Sequence, residues 1–131
     1  VGNRKLKVDL LDSKDQILIE ADKGRITQVV TNILNNAIKF THDDMGGEIR
    51  ISAEKKEDSR EVIVEIKDTG KGIDSEVLPR LFSKFATKSI GGSGLGLYIS
   101  KSIVEAHGGR IWAENNSDSD GATISFSLPI T

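Results

Sequence analysis

Three things are missing from this chain, and each narrows what it can be. It has no cysteine, which excludes a disulfide framework and any thiolate metal site. No apolar run approaches the ~20 residues of a membrane-spanning helix, and no signal-peptide pattern opens the chain. Nor is there an excess of charge of one sign. With 18 basic and 20 acidic residues the net charge is −2, so nothing electrostatic argues for nucleic acid or an anionic membrane as a partner. What remains is 131 residues, 37% hydrophobic and 29% charged, the composition of one soluble globular domain with a core of its own. The chain opens on Val1 and its only methionine is Met45. A single domain over 1–131, excised from a longer protein, is therefore expected.

The most informative stretch is Asp22 to Thr41. Ile26, Val29, Val30, Ile33, Leu34, Ala37 and Phe40 recur at spacings of three and four, which predicts one long amphipathic helix. Asp22 is a fitting N-cap. Asn32, Asn36 and Lys39 stand at i, i+4 and i+7, so they form a polar stripe that flanks the apolar arc, while Asn35 faces elsewhere. Two carboxamides and an ammonium beside a core face suit an anionic ligand that carries a metal. Mg²⁺ on a nucleotide is held mostly by phosphate and water, and an Asn oxygen can fill one position without adding charge. The plain alternative is the solvated edge of an ordinary helix.

Around that helix, alternation predicts strands at 5–10, 16–21, 48–54, 61–67, 110–114 and 122–128. A short helix interrupted near Pro79 is expected over 75–82, with Phe82 and Phe85 packed together. Residues 86–93 read as a mobile, glycine-bearing segment. A second helix should run from about Leu95 to His107, with Leu95, Ile99, Ile103 and Ala106 inward, and stop at Gly108-Gly109. Interspersed strands and helices of these lengths give an α/β (α+β) fold: a two-layer sandwich, a mixed sheet covered on one face by helices.

Two further places carry chemistry. By period two, Asp68 falls on the core face of its strand with Val62, Val64 and Ile66, where a carboxylate is costly without a partner. It either caps its own Asp-Thr-Gly turn or accepts a hydrogen bond at the bottom of a pocket, from an exocyclic amine such as adenine N6. Gly70 and Gly72 would let a flat ring approach. Glycines at 92, 94 and 96 open the second helix, where free N–H groups and the positive dipole end offer a phosphate site; the plain alternative is a glycine-rich turn before a helix.

In combination these stretches resemble the catalytic ATP-binding domain of sensor histidine kinases, in the gyrase, chaperone, histidine kinase and MutL (GHKL) ATPase superfamily with its Bergerat-type ATP-binding fold. NILNNAIKFT (32–41) is similar to the N box, DTGKGI (68–73) to the first glycine box, LFSKFATK (81–88) to the F box with a short lid, and GGSGLGLYISK (91–101) to the second glycine box. HGGRIWAEN and GATISFSLP fit the family's C-terminal strands. The resemblance implies ATP and Mg²⁺ as ligands. Asn36 would ligate Mg²⁺ with Asn32 in support, Lys39 would contact phosphate, and these three form the implied catalytic set. Phe40 would lie against the nucleotide. Asp68 would accept from adenine N6, with Gly70, Gly72 and Ile73 shaping the base pocket. Thr87 and Lys88 would approach the phosphates from the lid, and Ser93, Gly94, Leu95, Gly96 and Leu97 would cradle them by backbone.

The same resemblance implies a histidine protein kinase, with the γ-phosphoryl group passing to a histidine on a dimerisation and phosphoacceptor domain and then to a response regulator receiver domain. Relatives that hydrolyse ATP carry Glu where this chain has Asn32. A neutral amide cannot serve as that base, so slow intrinsic hydrolysis is expected. No helix here carries a His followed by an acidic residue. His42 precedes Asp43 in a loop, and His107 lies ~18 Å along its helix from the phosphates, where a helix C-terminus favours His⁺. The acceptor domain is therefore expected N-terminal to Val1, and autophosphorylation is not expected without it. A cytoplasmic domain without membrane contact of its own is implied. The alternatives are an ATP-driven conformational module of the gyrase or MutL kind and a degenerate scaffold that no longer holds nucleotide.

Overall fold

The computed structural model describes residues 7–11, 21–41, 47–86, 94–117 and 120–130. Five strands form one sheet: β1 (Lys7–Leu11), β2 (Glu48–Lys56), β3 (Glu61–Asp68), β4 (Ile111–Asn115) and β5 (Ala122–Pro129), in the order β1-β2-β3-β5-β4. β1 runs parallel to β2 and every other pair is antiparallel, so the sheet is mixed. The strand expected at 16–21 lies outside the described residues apart from Ala21, which belongs to no strand.

Two helices cover one face. α1 (Lys23–Phe40) begins where expected, because Asp22 Oδ1 accepts from the Arg25 N–H at 3.0 Å. Its apolar stripe buries Val29, Ile33, Ala37 and Phe40. Against it stand the inward residues of the central strands: Val62, Ile66, Ile124, Phe126 and Leu128. Each such side chain contributes about 1.5–3 kcal/mol when taken fully out of water. The result is the expected two-layer α/β sandwich.

α2 (Gly96–Ala106) packs on α1. Its buried face is Leu97, Ser100, Ile103 and Val104; of the expected Leu95, Ile99, Ile103 and Ala106, Ile103 is buried, Ile99 packs half-buried against the core, Leu95 is half-buried and Ala106 is exposed. The sequence pattern misled because a serine, fully buried, sits in the middle of the true stripe. Ser100 is tolerated there because its hydroxyl donates to Gly96 O at 2.9 Å. The expected helix over 75–82 shrinks to one 3-10 turn, Leu78–Arg80, with Pro79 in it. Phe82 packs against the core, but Phe85 is 54% exposed and holds a left-handed backbone, φ 66°.

The helix pairing is antiparallel. The Asp22 N–H, at the start of α1, donates to His107 Nε2 at 3.1 Å, just past the end of α2. His107 Nδ1 lies 2.8 Å from Ile103 O. The two bonds together demand the Nδ1–H tautomer, with Nε2 as acceptor. At 1.5 Å per residue α1 is about 27 Å long and α2 about 16 Å. Matched at the Asp22–His107 end, the last turns of α1 overhang the N-terminus of α2. Among the described residues no helix is long and apolar enough to cross a membrane.

Candidate functional site

The overhang carries the candidate site. Asn32, Asn36 and Phe40 follow one another at steps of four residues, about 6 Å each, along one side of α1. At the lower step, Asn32 Nδ2 donates to Gly96 O and to Ser100 Oγ, both at 3.1 Å. At the upper step, Phe40 O accepts from the Lys71 N–H at 3.3 Å, and Lys71 Nζ stands 5.8 Å from the Phe40 ring centre. Asn36 lies between them. It is buried, and among the described residues its Nδ2 has no hydrogen-bond partner. A buried amide group left unpaired costs about 1–3 kcal/mol, which is the expected signature of a group held for something that binds. Lys39 is exposed at the rim beside it.

The second part is the turn after β3. Asp68 is buried, 4% exposed. Its Oδ1 accepts from the Gly70 N–H at 2.9 Å and the Ala122 N–H at 3.3 Å. Both bonds fall on one oxygen, so among the described residues Oδ2 is the open acceptor. Burial pushes the carboxyl above the ordinary carboxylate range, and the Gly70 and Ala122 N–H groups pull the other way. The turn then folds onto the end of α1. A Cβ on Gly70 would lie 2.1 Å from Phe40 O, so only glycine fits, and Gly72 needs its positive φ of 82°. Ile73 is buried, 5% exposed.

The third part is the start of α2. Gly94 adopts φ 74°, and its carbonyl accepts from the Phe85 N–H at 2.7 Å. Leu95 occupies the N-cap position, and among the described residues no side chain caps the helix, in contrast to Asp22 on α1. First-turn N–H groups and the positive end of the helix dipole thus face the overhang, where an anion is favoured. Leu97 is core, 4% exposed, so only its backbone is offered. Thr87, Lys88, Ser93 and His42 lie outside the described residues.

Asn32, Asn36, Phe40, Asp68, Gly70, Gly72, Ile73 and the 94–97 turn therefore converge on one edge of the helical layer. Among the described residues no three His, Asp or Glu side chains gather as a metal site. A cation here would take one amide oxygen from Asn36 and the rest of its shell from a ligand's phosphates and water, which is how Mg²⁺ accompanies nucleotides. The atom left unpaired among the described residues is the Nδ2 donor, which suits a phosphate or water oxygen of such a ligand, while Oδ1 is the atom a cation would take. The sequence reading missed Asn115 and Asn116, which it treated as the start of a polar turn. Asn115 Oδ1 accepts from the Ile73 N–H at 2.7 Å and Asn115 Nδ2 donates to Ile73 O at 2.9 Å. Asn116 Nδ2 donates to Asp68 O at 3.1 Å. The only signal was the general capacity of Asn to bond backbone in turns.

Residues 21–131 match the family described as histidine kinase-, DNA gyrase B- and HSP90-like ATPase. The chain is 42% identical over 130 residues to the sensor protein FixL of Bradyrhizobium diazoefficiens, covering 98% of this chain and 25% of that protein. It is 38% identical over 119 residues to the sensor histidine kinase WalK of Bacillus subtilis, covering 86% of this chain and 19% of that one. It thus spans a quarter or less of these two curated relatives. Among solved structures, the catalytic domain of the histidine kinase ThkA superposes with a TM-score of 0.83 at 34% identity, over 97% of this chain and 82% of that one. ThkA in complex with the response regulator TrrA gives 0.78 at 32% identity, over 96% and 34%. Full-length ShkA in complex with AMPPNP gives 0.81 at 29% identity, over 96% and 26%. The chain belongs to the histidine kinase-, DNA gyrase B- and HSP90-like ATPase family, and within it to the catalytic ATP-binding domains of sensor histidine kinases.

Proposed function

We propose that the domain binds ATP with Mg²⁺ and supplies the γ-phosphoryl group to a histidine on a separate dimerisation and phosphoacceptor domain of its parent, for onward passage to a response regulator receiver domain. The observation that carries this reading is the buried side chain of Asn36, its Nδ2 unpartnered among the described residues, about one helical turn from the Asp68 turn on one side and from the start of α2 on the other. An adenine nucleotide covers that span with its amine at one end and its phosphates at the other.

In this reading Asp68 Oδ2 accepts from adenine N6, Gly70, Gly72 and Ile73 shape the slot for the base, and Phe40 lies against the nucleotide. Asn36 gives its amide oxygen to Mg²⁺, Lys39 meets phosphate, and the backbone of Gly94, Leu95, Gly96 and Leu97 receives the phosphates. Thr87, Lys88 and Ser93 join them on the strength of the resemblance. When bound, Mg²⁺ neutralises phosphate charge and holds the phosphate tail in one geometry. Asn32 holds the start of α2, its N–H₂ group donating to Gly96 O and Ser100 Oγ, and as a neutral amide it does not take a proton from water. A histidine acceptor suits a site without a base. Imidazole, at pKa ~6.5, is largely neutral and nucleophilic at pH 7. Its nitrogen bonds to the γ-phosphorus as the bond to the ADP oxygen breaks, and its proton leaves to solvent. The ThkA–TrrA complex supports a receiver domain as the downstream partner, and AMPPNP in ShkA supports an adenine nucleotide as ligand.

The test is to add a cognate acceptor domain and ATP–Mg²⁺ to this chain and look for an acid-labile phosphate on histidine. Rapid steady-state ATP turnover by the chain alone would instead favour a gyrase-type conformational ATPase. No calorimetric heat with an ATP analogue would favour a scaffold that has lost its nucleotide.

A further inference from the structure

In the nucleotide reading the base lies on the turn from Asp68 to Ile73, and backbone turns rich in glycine do not hold their own shape. The turn from Asp68 to Ile73 contains two glycines, and its two ends are fixed by a pair of adjacent asparagines from elsewhere in the chain. Asn115 is the last residue of β4 and forms a two-point pair with Ile73, receiving from its N–H at 2.7 Å and donating to its carbonyl at 2.9 Å. Only one orientation of the amide satisfies both bonds. Asn116 donates from Nδ2 to the Asp68 carbonyl at 3.1 Å and to Asp120 O at 3.0 Å. Its Oδ1 accepts from Thr123 Oγ1 at 2.7 Å, and its own N–H goes to Gly121 O at 2.9 Å. The two amides therefore grip opposite ends of the same six-residue turn.

The circuit closes through the sheet. Asn115 pairs in register with Ala122, and the Ala122 N–H donates to Asp68 Oδ1. The carboxylate that faces the base and the Ile73 backbone that walls the slot are thus both referred to the β4–β5 hairpin. We infer that Asn115 and Asn116 are positioning residues that set adenine specificity, by holding Asp68 and Ile73 at a fixed separation. The inference rests on the nucleotide reading above and names the residues that tune it. Neither amide need touch the ligand. Asn115 spends its oxygen and its nitrogen on Ile73, and Asn116 spends its own on the Asp68 turn and β5.

Asn115→Ala and Asn116→Ala are compared with Leu128→Ala, a core variant at the far end of β5 that loses stability without touching the turn. Affinities for an ATP analogue and the matching inosine analogue, whose O6 replaces the amine, are measured well below each variant's melting temperature. Expected is a loss of about ten-fold in ATP-analogue affinity for Asn115→Ala, the worth of one to two neutral hydrogen bonds. The ATP-over-inosine preference should collapse with it, while Leu128→Ala keeps the wild-type preference. In parallel, the Ile73 amide should exchange faster with solvent in Asn115→Ala without any nucleotide. Unchanged preference in both asparagine variants, or unchanged Ile73 exchange, overturns the inference. If the wild-type chain binds neither analogue, the nucleotide reading fails instead, and the exchange measurement still reads the grip of Asn115 on the turn.

Discussion

Asp68→Asn separates what the carboxylate does for the ligand from what it costs the fold. In the structure both backbone donors, Gly70 N–H and Ala122 N–H, reach the same oxygen, Oδ1. An asparagine keeps that oxygen and both bonds, which obliges its Nδ2 to stand where Oδ2 stood. A donor then faces the donor at adenine N6. Losing a hydrogen bond to a charged group is worth about 1.5–3 kcal/mol, so affinity for an ATP analogue should fall about ten- to a hundredfold. The inosine analogue presents an acceptor at the same place, and its affinity should rise relative to ATP. Stability should move the other way. Burial raises the folded-state pKa of Asp68 above its unfolded value. Its contribution is therefore fully present below the ordinary carboxylate pKa of about 4 and is lost as pH rises through the raised folded value. Above that window the wild-type apo domain carries a buried charge that the variant lacks. The variant should melt higher than wild type at pH 7, with the gap closing towards pH 4. Titration calorimetry with the two analogues and thermal melts across that range read both halves. Undiminished ATP-analogue affinity would mean that the base sits elsewhere; a variant that melts lower at every pH would mean that the carboxylate is a net structural asset.

Other expectations follow from single contacts. Asn36→Leu removes a buried side chain whose Nδ2 has no partner among the described residues, so the apo fold should hold or gain up to about 1 kcal/mol, while the Mg²⁺-dependent part of nucleotide affinity disappears in calorimetry with and without the metal. Gly70→Ala drives a methyl group into Phe40 O and should cost roughly 2 kcal/mol or more, read as a fall in urea midpoint. Asn32→Asp swaps a donor for an acceptor opposite the Gly96 carbonyl and should cost about 1–3 kcal/mol, together with weaker binding of the phosphate tail. With wild-type Asn32, phosphate release from ATP should stay near background in a continuous assay.

Much of the frame was legible because its periods are clean. α1 showed its buried stripe, its cap at Asp22 and its polar edge, and β2, β3 and β5 alternate almost without exception. Asp68 could be singled out because a carboxylate on an apolar period is costly without a partner. The failures have physical causes. The inward face of α2 was misread because Ser100, polar in sequence, is satisfied locally by Gly96 O and Asn32. Phe85 was expected in the core because hydrophobicity alone says so, yet a left-handed backbone turns it outward. His107 stands at the end of α2 as expected, but the contact it makes there, from the Asp22 N–H, comes from 85 positions away and had no local signal. Asn115 and Asn116 could not have been found, since their partners lie 42 and 48 positions away and no local pattern encodes them.

The clasp between Asp22 and His107, with the Asn32 contact one helical pairing further on, braces α1 and α2 at two separated points. Two struts joined twice move as a single lever. A mechanical input that reaches the backbone just ahead of α1 would be delivered to the far end of α2 and, along that rigid rod, to the glycine turn at its near end.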